Sequence, residues 1–265
     1  MYEDFTPTRT SVTPNYILEV LRDSYRQQCQ YDPEAVPDVE LSFHTTVAEW
    51  RETCDLLPWR RVADANNDWW GFRCSLDEWQ ATLEPAEERT LYDVCSLIAR
   101  HAKLPQSCPA MLLGSPCLSG GTFLAIRSLL REAGADPREI APSTPLESYS
   151  RRYLGVFLGP ISWIAPGALP PVKIHHPIYD AAIWGFVGGW VSLLVGVCTL
   201  VHWLTIIGVL TSAFSYAMGW IASKCMGPSR VEFGDLKTFR DLAVLVATTS
   251  AANKAVSPCG GSGGV

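Results

Sequence analysis

AAIWGFVGGWVSLLVGVCTLVHWLTIIGVLTSAFSYAMGWIAS, residues 181–223, holds no Asp, Glu, Lys or Arg; Asp180 and Lys224 bound it, and His202 is its one titratable nitrogen side chain. A bilayer's hydrocarbon core is about 30 Å thick and takes about 20 helical residues to cross. One straight helix over this run would reach about 65 Å at about 1.5 Å per residue, so two passes fit it better than one. A split near Val201-His202-Trp203 leaves halves of the right length. It also sets the polar-tipped rings of His202 and Trp203 at an interface, where such rings settle. No Gly, Pro or Asn marks a turn there. One tilted pass with an interfacial helix, or a buried soluble helix pair, are the alternative readings.

Small residues favour the pair. Ala181, Gly185 and Gly189 recur every fourth position, as do Gly188, Ser192 and Gly196; Gly208, Ser212, Ser215, Gly219 and Ala222 follow at three- and four-residue steps. Stripes of this kind let two backbones approach closely in lipid, although Gly and Ala are also common in membrane helices generally. Arg151, Arg152 and Lys173 precede the run, Lys224 and Arg230 follow it, and the proposed tip carries no Lys or Arg. The excess of cations on cytoplasmic loops then places both ends of the hairpin in the cytoplasm, in a cell (inner) membrane. The first thirty residues carry Glu3, Asp4 and Glu19 and no early apolar core. They do not read as a signal peptide, and the N-terminal part is expected to stay cytoplasmic.

The net charge of −6 is unevenly spread: residues 1–110 carry 10 basic and 19 acidic side chains, residues 111–180 carry 6 and 5, and residues from 224 onward carry 5 and 3. An acidic N-terminal part repels nucleic acid and anionic lipid. The partner classes it leaves are a protein, a basic one by charge, and, for the apolar run, the lipid bilayer and a second copy of the chain. The nine cysteines are scattered with no Cys-x-x-Cys pair, which reads as free thiols in a reducing compartment.

A first helix is expected from about Pro14 to Gln30, capped by Thr13, with Ile17, Val20, Leu21 and Tyr25 on its core face. Val39, Leu41 and Phe43 alternate like a short strand, and Trp69–Arg73 like a second. Three helix starts share one pattern: Thr46 with Glu49, Ser75 with Glu78, Thr90 with Asp93. Each is a capping box, in which the hydroxyl takes a free backbone N–H and the acid reaches back. The next residue in each, Trp50, Trp79 or Val94, should face the core. Lys103–Gly121 reads as a Pro-, Ser- and Gly-rich linker, followed by a helix from Thr122 to Ala133 that ends at Gly134. The proline-rich stretch from Pro137 to Pro177 is apolar yet unable to hold a long helix, and Tyr153, Phe157 and Trp163 could rest at a membrane surface. A short amphipathic helix is expected from Asp235 to Ala247, then a Gly/Ser tail.

Chemical motifs are sparse. Asp64-x-Asn66-x-Asp68 opens like a calcium loop, but the sixth and twelfth positions are Trp69 and Ser75 where Gly and Glu are needed. Ser119-Gly120-Gly121-Thr122 before a helix lacks the Gly-Lys pair of a phosphate loop. His175-His176 has no Cys or carboxylate at ligand spacing. Cys95 and His101 lie on different helix faces. No cofactor or metal is expected, and no catalytic residue is assigned. For an enzyme with a dispersed, possibly metal-dependent site, the residues to consider are His44, His101, Asp64 and Asp68.

Phe123–Tyr149 resembles the first helix and loop of acyl carrier proteins: an amphipathic helix, Gly134-Ala135-Asp136-Pro137, Ile140, Pro142 and Thr144-Pro145-Leu146. That resemblance implies a serine bearing phosphopantetheine shortly after, but in this register Tyr153 stands in its place, with Arg152 before it. Thr46–Arg51 and Thr90–Arg100 resemble a family of bacterial membrane-associated proteins with no assigned activity, over most of residues 14–180. The sequence is thus read as mainly α. A soluble helical domain with short strands (1–105) leads through a Pro/Gly-rich linker with one helix (106–180) to a membrane hairpin (181–223), then a short helix and tail (224–265). The leading expectation is a membrane-anchored binding or scaffolding module.

Overall fold

A computed structural model describes residues 7–32, 35–37, 39–53, 58–112, 114–175, 177–199, 201–225 and 230–256. The chain forms two compact units, Met1–Lys173 with Glu232–Val265, and Ile174–Val231. In order, the first part comprises β1 (Thr8–Ser11), α1 (Pro14–Gln28), α2 (Val47–Thr53), α3 (Trp59–Trp70), α4 (Leu76–Leu83), α5 (Leu91–His101) and β2 (Lys103–Gln106). Then come β3 (Ala110–Leu112), β4 (Ser115–Cys117), α6 (Leu118–Glu132), α7 (Glu147–Arg152) and α8 (Leu154–Val156), which runs on as irregular turns to Ile164. β5 (Val172–His175), α9 (Pro177–Thr199), α10 (His202–Cys225), β6 (Arg230–Phe233) and α11 (Phe239–Val256) complete it, so the fold is mainly helical. β5 pairs with β6.

The core of the first unit is built by the apolar faces of α1, α3, α4 and α5, with Ile17, Trp79, Leu83, Leu91, Val94 and Ile98 wholly buried. Thr13 caps α1, its hydroxyl accepting from the Tyr16 amide at 3.3 Å, and Pro14 takes the first position. The capping boxes form. Thr46 N donates to the Glu49 carboxylate at 2.8 Å and Glu49 N to the Thr46 hydroxyl at 3.1 Å; Ser75 and Glu78 repeat this, and Thr90 N and Oγ1 both donate to Asp93. Thr46 and Thr90 also bridge in antiparallel fashion, with Leu91 N bonded to Thr45 O and Val47 N to Arg89 O. The starts of α2 and α5 are thereby fixed to each other, and Trp50, Trp79 and Val94 point inward. Cys54 and Leu57, expected to continue the Trp50 face, lie outside the described residues.

Several expectations are corrected. Val39, Leu41 and Phe43 form no strand; Leu41 is buried and its carbonyl accepts from Arg22 Nε at 2.7 Å. Trp69 and Trp70 end α3, which Gly71 closes at φ 68°, the left-handed cap conformation that suits glycine. The segment Lys103–Gly121 is structured: β2 pairs antiparallel with β1, Thr8 opposite Gln106, and β3 pairs with β4. α6 starts at Leu118 and not at Thr122, because the Cys117 thiol caps it by accepting from Gly120 N at 3.3 Å. Gly121 needs to be glycine, since a Cβ there would fall 1.7 Å from the Cys108 carbonyl oxygen. The last helix runs later and longer, as α11, behind a fourth capping box of Thr238 and Asp241.

Phe157 and Trp163 are core residues, not surface ones. Trp163 stacks on Trp70 at 5.1 Å and meets Trp69 edge-on. α1 holds this segment with its polar face: Asp23 accepts from the Ser162 hydroxyl at 2.7 Å, Arg26 and Gln27 donate to Leu169 O, and Val172 N donates to Gln27 Oε1. A buried carboxylate needs partners, and Asp23 has Ser162 and Arg26. Phe157 packs with Phe233 and Phe239 where α11 lies against α6.

Candidate functional site

The second unit is a helical hairpin. α9 ends at Thr199 and α10 begins at His202, where the sequence placed the split. Val201 N donates to Gly196 O at 3.0 Å, the six-to-one bond that closes a helix C-terminus. Next to the turn, glycine lets the two helices approach: a Cβ on Gly196 would lie 2.6 Å from Thr205 N. Facing pairs continue down the seam, Leu193 and Gly189 with Gly208, Gly189 with Ser212, Gly185 with Ser215, and Ala182 with Gly219. The buried seam positions, Ala182, Gly189 and Gly196 on α9 and Gly208 and Ser215 on α10, are seven residues apart along each helix. A seven-residue repeat keeps one face toward a partner helix. The four-residue stripes therefore hold in part: Gly185 and Gly189 face α10, while a Cβ on Gly188 would meet nothing within 4 Å and Ala181 is exposed.

What faces outward is large and apolar. Trp184, Val191, Leu194, Val197, Trp203, Leu210, Phe214 and Tyr216 are each more than half exposed. Ala181–Thr199 and His202–Ile221 are long and apolar enough to cross a membrane, and only 17% and 11% of their apolar stretches are buried. The central helices of a soluble domain would be mostly covered. A hairpin with small residues inside and Trp, Leu, Val and Phe outside has the arrangement that lipid favours.

The chemically distinctive cluster lies in the first unit, where Cys74, Glu78 and His101 bring ligand atoms within 4.8 Å of one another. Cys74 follows the α3–α4 turn, Glu78 is in the first turn of α4, and His101 ends α5. Asn67, buried on α3, fixes the Cys74 backbone in both directions, donating to its carbonyl and accepting from its amide at 3.1 Å, and also accepts from Trp79 Nε1. The Cys74 thiol donates to Glu78 Oε2 at 3.1 Å, which also accepts from Ser75 N and Oγ. Glu78 Oε1 faces His101 Nε2 at 3.7 Å. Phe72 stacks on the rings of Trp79, at 6.4 Å, and His101, at 5.5 Å.

Burial, then the bond to Glu78, pushes the Cys74 thiol up to about 11, partly offset by the Ser75 backbone and then by the Arg100 charge. The same contact with Cys74, and those with Ser75, bring the Glu78 carboxyl down to about 2. At neutral pH this is a protonated thiol beside a carboxylate, not the thiolate that a cysteine nucleophile requires.

Of the residues considered for a dispersed site, the structure brings His101 into this cluster. Asp64 and Asp68 lie on α3, so Asp64-x-Asn66-x-Asp68 is helix and not a loop; Asn66 bonds to Val62 O and Trp70 Nε1, and Asp68 lies 3.7 Å from Arg73. His44 sits in an exposed turn, its amide bonded to the Ser42 hydroxyl. Cys95 is buried in the core, away from His101's exposed end of α5. Ser119, Gly120 and Gly121 are the first turn of α6. His175 ends β5, and His176 lies outside the described residues. Tyr153 follows α7 and stacks on Tyr149 at 6.2 Å. Sequence reasoning missed Cys74 and took Glu78 for a cap alone; the four-residue step from Cys74 to Glu78 was the available signal. No protein-family model, no curated protein and no solved structure matches the chain.

Proposed function

We propose that the chain is a membrane-anchored binding or scaffolding module, held by α9 and α10 in a cell (inner) membrane with both ends of the hairpin cytoplasmic. The observation that carries this reading is the outward display of large apolar side chains along both helices. Lys173, Lys224 and Arg230 near the hairpin's base, against a tip with no Lys or Arg, support the orientation.

The first unit would serve as the binding part. Four of its tryptophans, Trp50, Trp70, Trp79 and Trp163, are buried and not available to a partner, while Trp59 and Trp69 are half-buried. Its exposed acids are, among them Glu40, Glu52, Asp64, Asp68, Asp77, Glu87 and Glu88. Such a surface favours a basic protein segment and disfavours nucleic acid. Self-association would use the lipid-facing sides of the hairpin.

Labelling with a membrane-impermeant maleimide tests the topology. A variant whose sole cysteine is Cys198, exposed near the hairpin tip, should label in intact cells, and one whose sole cysteine is Cys117 should label only after lysis. The reverse pattern would contradict the orientation; labelling of both only after lysis would contradict a crossing.

A further inference from the structure

We propose that Cys74, Glu78 and His101 bind one zinc ion, with water in the fourth position. A thiolate, an imidazole and a carboxylate form a ligand set for zinc and not for calcium or magnesium, which take oxygen. Zn–S bonds of about 2.3 Å and Zn–N and Zn–O bonds of about 2.0–2.2 Å put the ligands of a tetrahedral site about 3.3–3.6 Å apart. Cys74 Sγ is 3.1 Å from one carboxylate oxygen of Glu78, Oε2, and His101 Nε2 is 3.7 Å from the other, Oε1. The ligand atoms, one from each residue, all lie within 4.8 Å, so no pair needs to close by more than about 1.5 Å for a tetrahedral site. His101, at the exposed end of α5, can supply that movement.

The surroundings hold each ligand from behind, as metal sites require. Asn67 clamps the Cys74 backbone, Ser75 engages Glu78 Oε2 and leaves Oε1 toward His101, and Phe72 stacks on the imidazole. Helix capping explains the Ser75–Glu78 bonds. It gives no reason for a thiol from one side and an imidazole from another helix to converge on the same carboxylate. On binding, the thiol proton leaves to solvent and the thiolate sulfur takes the metal. Zinc would then tie the start of α4 to the end of α5. The site is independent of the hairpin and of its membrane.

The test uses the metal-stripped full-length chain in detergent, titrated with cobalt as a spectroscopic substitute for zinc. One equivalent should give a near-ultraviolet sulfur-to-cobalt charge-transfer band with tetrahedral visible bands, all discharged by zinc. Cys74→Ser should remove the charge-transfer band, and His101→Ala, at an exposed helix end, should weaken binding by more than about tenfold. Cys117→Ser should change neither, and far-ultraviolet dichroism should show each variant folded. The proposal is overturned if the wild-type chain gives no saturable band, if the band persists in Cys74→Ser, or if it disappears with Cys117.

Discussion

Gly189 and Gly208 meet backbone to backbone across the hairpin: a Cβ on Gly208 would stand 2.7 Å from the Gly189 carbonyl oxygen and 2.5 Å from Leu193 N. Neither position has room for a side chain, so the register of α9 against α10 depends on both. A Cβ on Gly219 would lie 3.6 Å from that of Ala182, inside the range of about 3.5–4.5 Å that a disulfide spans. The double variant Ala182→Cys/Gly219→Cys, with the native cysteines replaced, should therefore crosslink within one chain on mild oxidation. Adding Gly208→Leu, an overpacking change of about 1–3 kcal/mol, should cut the crosslink yield sharply, as read by mass spectrometry.

Trp163 should be the costliest single truncation outside α1–α5. It is nearly fully buried against Trp69 and Trp70, and a buried Trp→Ala change costs about 3–5 kcal/mol. Asp23→Ala should cost about 1–3 kcal/mol by leaving the buried Ser162 hydroxyl without its acceptor. Denaturant unfolding followed by tryptophan fluorescence checks both; effects below about 1 kcal/mol would mean that Trp163 does not pack on α3 and that Ser162 is not held by α1.

The cysteines should separate by reactivity. Contacts with the Ser119 hydroxyl and the Gly120 amide lower the Cys117 thiol from its usual range, whereas burial pushes Cys95 up to about 12. Thiolate is the reactive form. Timed alkylation at pH 7.5, followed by peptide mapping, should modify Cys117 early and Cys95 only on unfolding.

Stability should fall at both pH extremes for identifiable reasons. Bonds to Thr46 and Thr238 lower the Glu49 and Asp241 carboxyls in the folded chain. The unfolded chain then binds more protons, so this stabilisation is complete above the unfolded carboxylate range, about 4, and is lost as pH falls through the lower folded values. Cys95 acts in the opposite direction. Its folded pKa, about 12, lies above the unfolded thiol's, about 8.5, so its contribution is full below the latter and lost as pH rises between the two. Thermal unfolding across pH should show Asp241→Asn flattening the acid limb and Cys95→Ala the alkaline limb.

The hairpin and the capped helix starts were legible in the sequence because they rest on local pattern. The absence of charge from 181 to 223, the hydroxyl–acid spacing at Thr46, Ser75 and Thr90, and the Thr13-Pro14 cap all act within a few residues. α3 was not legible, because Asn66, Asn67 and Asp68 look like a turn when their partners are unknown. Asn67 tolerates burial only because the Cys74 backbone and the Trp79 indole satisfy it. Trp163 looked interfacial for the same reason, since its neighbours Trp69 and Trp70 are about ninety residues earlier. The Cys74–Glu78–His101 cluster joins a turn, a helix start and a helix end, and only tertiary packing brings the imidazole to the other two.

On the proposed reading, α9 and α10 lie in a bilayer. Membranes from cells producing the full chain, washed in alkaline carbonate and floated through a density gradient, test it most directly. The chain should rise with the lipid. Recovery of the chain in the carbonate supernatant, or its failure to float, would contradict it.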